Sequence, residues 1–243
     1  MTTSNRPIAL IIGAGDHLGS AIARRFAREG YYIVATRRRG DLHTLVSDIQ
    51  AMGSEATAFH SDARDETQVT ELIDKVESEL GPISVAVFNV GGNVRFSITE
   101  TTTMVYRKVW EMCALAGFLV GREVARKMIS RQQGSIIFTG ASASLRGSSG
   151  FAAFAGGKHA LRALAQCMSR ELGPQGIHVA HVVIDGLIEN EATKAFLPDL
   201  FASKGKDGII QPDDLAEVYW QIHNQPRSTW TFEQDVRPYA ETW

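Results

Sequence analysis

The residues whose types and spacing first suggest chemistry are three glycines and a basic tripeptide near the start of this 243-residue sequence. Gly13-Ala14-Gly15-Asp16-His17-Leu18-Gly19 joins an apolar run, Ile8–Ile12, to a helical pattern reaching Glu29. Glycines there let the backbone approach a ligand closely, and the turn opens onto a helix N-terminus; together these suit a pyrophosphate. A glycine-rich turn is sometimes only a turn, but a strand before it and a helix after it favour a dinucleotide. The second apolar run, Tyr32–Thr36, ends in Arg37-Arg38-Arg39, with no acid before Asp41. A carboxylate at that strand end would hold a ribose 2′-hydroxyl, whereas arginine accommodates a 2′-phosphate. Three arginines also suit a solvated face; at this position they favour NADP(H) over NAD(H).

The elements that must position these groups alternate along the whole chain. Short apolar runs at Ile8–Ile12, Tyr32–Thr36, Ala56–His60, Ile83–Phe88, Ser135–Thr139, Ile177–Ile184 and Trp230–Asp235 read as seven strands. Helical patterns lie between them: Gly19–Glu29, a stripe over 42–49, Val69–Leu80, a long helix from about Thr101 to Arg131, Phe151–Leu172 and Pro212–His223. That alternation predicts an α/β fold, a Rossmann-type doubly wound parallel sheet with helices on both faces, as a single domain over residues 1–243. Phe151–Leu172 is apolar nearly all round, so it needs cover on every side, and a homodimer or homotetramer is expected through it. The segment 187–211 contains a helical excursion over Asn190–Ser203. Its Phe196, Leu197, Leu200 and Phe201 read as an apolar lid or as a packed helix face.

Bulk composition excludes more than it selects. Hydrophobic residues make 44% of the chain and net charge is −2, which gives no electrostatic case for nucleic acid or an anionic membrane. No apolar run approaches the roughly 20 residues that span a bilayer. The start, MTTSNRP, lacks the pattern of a signal peptide, and the two cysteines, Cys113 and Cys167, sit in apolar helical patterns. A cytoplasmic protein without a metal site is expected.

From Gly134 to Val179 the sequence reads GSIIFTGASASLRGSSGFAAFAGGKHALRALAQCMSRELGPQGIHV. It resembles the core of the short-chain dehydrogenase/reductase family without gaps, and the likeness extends from the first strand to about Val183. The glycine turn departs from the family's Thr-Gly-x-x-x-Gly-x-Gly: Ile12 replaces threonine, His17 replaces the middle glycine and Gly15 adds one. His17 reads either as a loop residue or as pointing at the phosphates. Asp62-Ala63 resembles the segment whose aspartate contacts the adenine amino group. Phe88-Asn89-Val90-Gly91 resembles Asn-Asn-Ala-Gly, with Asn89 tying strands and Gly91 admitting the cofactor. The resemblance implies cofactor binding by Gly13, Gly15, His17, Leu18, Gly19, Arg37, Arg38, Asp62, Ala63, Asn89, Gly91, Lys158, Asp185 and Gly186.

The family's catalytic set is a tyrosine, lysine, serine and asparagine. Here Phe154 stands for the tyrosine, Ala141 for the serine and Ala114 for the asparagine; Lys158 alone matches. The alternative tyrosine spacing of the enoyl-reductase branch falls on Phe151. Among the tyrosines, only Tyr219 stays open. Ser142 and His17 are candidate replacements, and His159, adjacent to Lys158, is read as facing a subunit interface. After the sixth strand, Ile184-Asp185-Gly186 replaces the family's Pro-Gly. Asp185 reads as a turn residue in preference to a new acid. The resemblance thus implies an NADP(H)-dependent oxidoreductase acting on a small apolar carbonyl or alcohol through a non-standard proton donor. A catalytically silent NADP(H)-binding protein, sensor or inactive partner, is the competing expectation. Lyase or isomerase chemistry with NADP(H) as a structural ligand is a third.

Overall fold

In a computed structural model, described over residues 6–242 apart from 197 and 206, seven strands form one parallel sheet. They are β1 (Ile8–Ile12), β2 (Tyr32–Arg37), β3 (Ala56–His60), β4 (Ile83–Phe88), β5 (Gly134–Thr139), β6 (Ile177–Ile184) and β7 (Glu233–Val236). The order is β3-β2-β1-β4-β5-β6-β7, so the winding of the parallel sheet reverses between β1 and β4. A doubly wound sheet opens a crevice at the carboxyl ends of the strands that flank such a reversal. Register makes those ends flush: Ile12 lies opposite both Thr36 and Phe88, and Phe88 opposite Phe138.

β1 and β6 are buried at every residue, as parallel strands covered on both faces must be. One face packs α1 (Leu18–Arg28), α2 (His43–Ala51) and α9 (Pro212–His223) through Ile22, Phe26, Leu215 and Tyr219. The other packs α3 (Glu66–Lys75), α5 (Ala116–Ile129) and α6 (Ala152–Leu172) through Leu72, Val120, Leu161 and Met168. Asp65 caps α3 by accepting from the Gln68 N–H at 3.1 Å. Among the described residues no helix is long and apolar enough to cross a membrane.

Expected element bounds change in detail. The long helix is interrupted: α4 (Thr103–Trp110) passes through a π turn, Glu111–Leu115, before α5 begins. Gly156 and Gly157 of α6 bring α4 and this turn close; a Cβ on Gly157 would lie 3.0 Å from the Cβ of Cys113, and one on Gly156 2.8 Å from the Tyr106 hydroxyl. Helix α6 is buried along one stripe only, while Ala163 and Cys167 are exposed. The last strand starts at Glu233 because Trp230 is committed elsewhere, stacked on His178 with ring centroids 4.8 Å apart.

The 187–211 segment folds as α7 (Glu191–Phe196) and α8 (Pro198–Ser203), closed at its base where Ile188 pairs with Ile210. Phe201 is buried and Leu200 is exposed. Leu197 and the side chain of Phe196 lie outside the described residues.

Candidate active site

The crevice between β1 and β4 is one cleft with two ends that share Asn89, Val90 and Gly91. The end of about 270 Å³ runs over Gly13, Gly15, Arg37, Arg38, Asp62, Ala63 and Arg64. The end of about 440 Å³ includes Leu18, Ala141, Ser142, Phe154, Lys158 and Gly186.

The turn is built by close packing. Gly13 has φ +84°, which disfavours any side chain, and a Cβ there would meet the Asn89 carbonyl oxygen at 2.6 Å. A Cβ on Gly19 would lie 2.3 Å from the Gly13 oxygen. Asn89 locks the turn to β4: its Nδ2 donates to Gly13 O at 3.1 Å and its backbone N–H to Ile12 O at 2.8 Å. By contrast, a Cβ on Gly15 would meet nothing within 4 Å. That open surface beside the N-terminus of α1 fits a pyrophosphate, so the residues present suit a dinucleotide. His17 is exposed and does not line either end.

At the strand ends the arginines are already engaged with acids. Arg37 Nη1 donates to Asp16 Oδ1 at 2.8 Å and to Asp41 O at 3.1 Å. Arg64 grips Asp62 through Nε and Nη2 at 2.9 and 2.6 Å, and Arg38 lies 3.9 Å from the same carboxylate. Arg64 beside it holds the Asp62 carboxyl below its ordinary range. Arg64 and Asp16 escaped the sequence reading. Arg64 had a signal in Asp62-Ala63-Arg64, a turn short enough for a two-point grip.

At the other end Lys158, 3% exposed, donates from Nζ to Thr139 O at 2.7 Å and Val90 O at 3.2 Å. Burial pushes its amine down from the ordinary lysine range. Phe154 packs beside Val109, Cys113 and Ala153, with its ring centroid 5.9 Å from Nζ. Ala141 lines the cleft, Ala114 is buried in the π turn, and Ser142 starts a short 3₁₀ turn at the cleft wall. Tyr219 is fully buried on the opposite face of the sheet, its hydroxyl 2.7 Å from Thr139 Oγ1. Burial pushes that phenol up, and its ring does not line the cleft. His159 is exposed, with Nδ1 2.9 Å from Ala155 O.

Asp185 is 5% exposed and accepts from Arg146 Nη2 at 3.1 and 3.3 Å. A residue expected to serve a turn is therefore also half of an ion pair tying the loop after β5 to the loop after β6. No local pattern marks a pair whose members lie 39 residues apart.

Known proteins decide the family. The model for the short chain dehydrogenase family matches residues 7–200. The chain belongs to that family. It is 31% identical to 2,3-dihydro-2,3-dihydroxybenzoate dehydrogenase of Bacillus subtilis, over 76% of this chain and 70% of that one. A crystal structure of a short-chain dehydrogenase from Rhodopseudomonas palustris is 47% identical, covers 97% of this chain and 100% of its own, and superposes with a TM-score of 0.84. A metagenomic short-chain oxidoreductase crystallised with NADP is 24% identical, covering 97% and 98% with a TM-score of 0.81, which is a likeness of fold. As a short-chain dehydrogenase, the chain carries a family fold that binds nicotinamide dinucleotides.

Proposed function

We propose that this protein binds NADP(H) across the cleft and exchanges hydride with a small apolar carbonyl or alcohol, using a proton source other than tyrosine. The observation that carries this reading is one continuous cleft with the glycine turn at one end and Lys158 and Ser142 at the other. Gly13, Gly15 and Gly19 would hold the pyrophosphate, Arg37 and Arg38 the 2′-phosphate, Asp62 and Ala63 the adenine. Asn89, Gly91 and Gly186 would border the nicotinamide half, and Lys158 would donate to the ribose hydroxyls. The dinucleotide supplies or accepts the hydride when bound. Apolar lining by Leu18, Phe154, Ile184 and Ile188 suits an apolar substrate body, with the 187–211 segment as its cover. Ser142 is the candidate hydroxyl, since Ala141 and Phe154 offer neither a donor nor an acceptor.

A homo-oligomer through α5 and α6 belongs to the same reading. Phe118 and Ile129 are 42% and 38% exposed there and border, with Leu164 and Cys167, a groove of about 310 Å³. The place of work proposed for it is the cytoplasm.

A second reading, a silent NADP(H)-binding protein, is favoured by Phe154. Its ring is partly buried against the apolar cluster of Val109, Cys113 and Ala153. One experiment separates the two. NADPH and NADH are titrated by fluorescence, and wild type, Phe154→Tyr and Phe154→Tyr/Ala141→Ser are screened against ketones and alcohols. Wild-type turnover that falls in Ser142→Ala supports the enzyme. Tight NADPH binding with turnover only in the double variant refutes it in favour of the silent protein. A restored general acid is worth about 10²–10⁴ in rate.

A further inference from the structure

Lys158 sits in unusual company for a buried cation. Its two acceptors, Thr139 O and Val90 O, are neutral carbonyls. From its own helix it faces Phe154, and from the π turn Cys113, whose thiol burial holds protonated. From β6 it faces His181, which is fully buried and hydrogen-bonded through Nδ1 to Glu233 at 3.0 Å. Glu233 is itself gripped by Arg162 at 2.6 and 2.8 Å. Among the described residues no carboxylate pairs with Lys158. A tetrahedral nitrogen bonded to Cε and donating two N–H bonds has one position left. In an ammonium that position is a third proton; in an amine it is a lone pair. Burial without counter-charge favours the amine, and a neutral lysine is a nucleophile. The same side chain lines the larger end of the cleft beside Gly91, Ala141 and Ser142.

We propose that, while the cleft is free of dinucleotide, Lys158 is a carbonyl-capture site: a small apolar aldehyde there condenses with its Nζ to form an imine, independently of hydride transfer. The nitrogen lone pair forms an N–C bond as the C=O π bond opens, and a proton passes from nitrogen to that oxygen. Loss of the oxygen as water then leaves C=N, so no oxidant or reductant is consumed. Phe154 is the enabling residue, because a phenol there would give the ammonium a polar partner.

The test incubates the whole protein with hexanal and sodium cyanoborohydride near neutral pH and maps the trapped secondary amine by peptide mass spectrometry. Burial without a counter-charge raises the fraction of neutral, attacking amine, so Lys158 should label faster than exposed Lys108. Phe154→Tyr should bring that rate down towards that of Lys108, and Lys158→Met should abolish the label at this peptide. Labelling of Lys108 with Lys158 untouched overturns the proposal, as does a Phe154→Tyr protein that labels like wild type. NADPH binding is read separately by fluorescence, so its failure would remove the dinucleotide reading and leave imine capture standing.

Discussion

Alanine substitutions at Gly15 and Gly19, two glycines of the same turn, should fail differently. At Gly19 an added Cβ would meet Gly13 O at 2.3 Å, Ala14 Cα at 2.8 Å and Asn89 Nδ2 at 3.1 Å. The first two are backbone atoms of the turn itself, so the turn must move. Overpacking of this kind costs about 1–3 kcal/mol, and about 1.4 kcal/mol is tenfold in an equilibrium constant. Gly19→Ala should therefore lower the melting temperature, with a folding equilibrium constant reduced roughly five- to 150-fold, and should weaken NADPH binding because the turn moves. At Gly15 the Cβ would meet nothing within 4 Å. Gly15→Ala should melt like wild type, within the change of about 0.5 kcal/mol typical of harmless surface substitutions. Yet it should still weaken NADPH, because the methyl group enters the space assigned to the pyrophosphate. Thermal melts and fluorescence titration of both variants give four numbers. Wild-type NADPH affinity in Gly15→Ala would refute the placement of the pyrophosphate, and unchanged stability in Gly19→Ala would refute the packing argument.

Other outcomes follow from the same structure. Arg38→Ala should cost NADPH about tenfold in affinity through the lost charge-assisted contact and leave NADH unchanged, measured by parallel titrations. Burial pushes His181 down to about 4 from an ordinary 6.5, so it is neutral when folded but charges in the unfolded chain. Its stabilisation, on the order of 3 kcal/mol, is whole above pH 6.5 and is lost as pH falls towards 4. Melts across that range should show the decline, and His181→Gln should flatten it. His223, also pushed to about 4 by burial, acts in the same window. Phe118→Glu should reduce the mass seen by light scattering to that of a monomer if α5 and α6 form the interface.

The strand and helix periods were enough to read seven strands, and four of them, β1, β3, β4 and β6, have the ends expected. Those periods come from local geometry: one residue in two faces the same way along a strand, one in 3.6 along a helix. The glycine turn and Lys158 were legible for the same reason, since each is a residue type at a fixed offset from an element end. The interrupted helix at Glu111–Leu115 was not: the turn packs closely on α6 at Gly157, a contact between residues more than 40 apart that no local period records. Arg146 and Asp185 likewise meet only when the loops after β5 and β6 are brought together. Tyr219 needed the fold to place it: alignment left it open, and only packing on the far face of the sheet puts its hydroxyl on Thr139. The sequence, through its family resemblance, already put Phe154, Ala141 and Ala114 where the family carries its tyrosine, serine and asparagine. Tertiary structure decided what surrounds the lysine they leave behind, because burial and partners are properties of packed neighbours, and here, among the described residues, its hydrogen bonds go to two carbonyls.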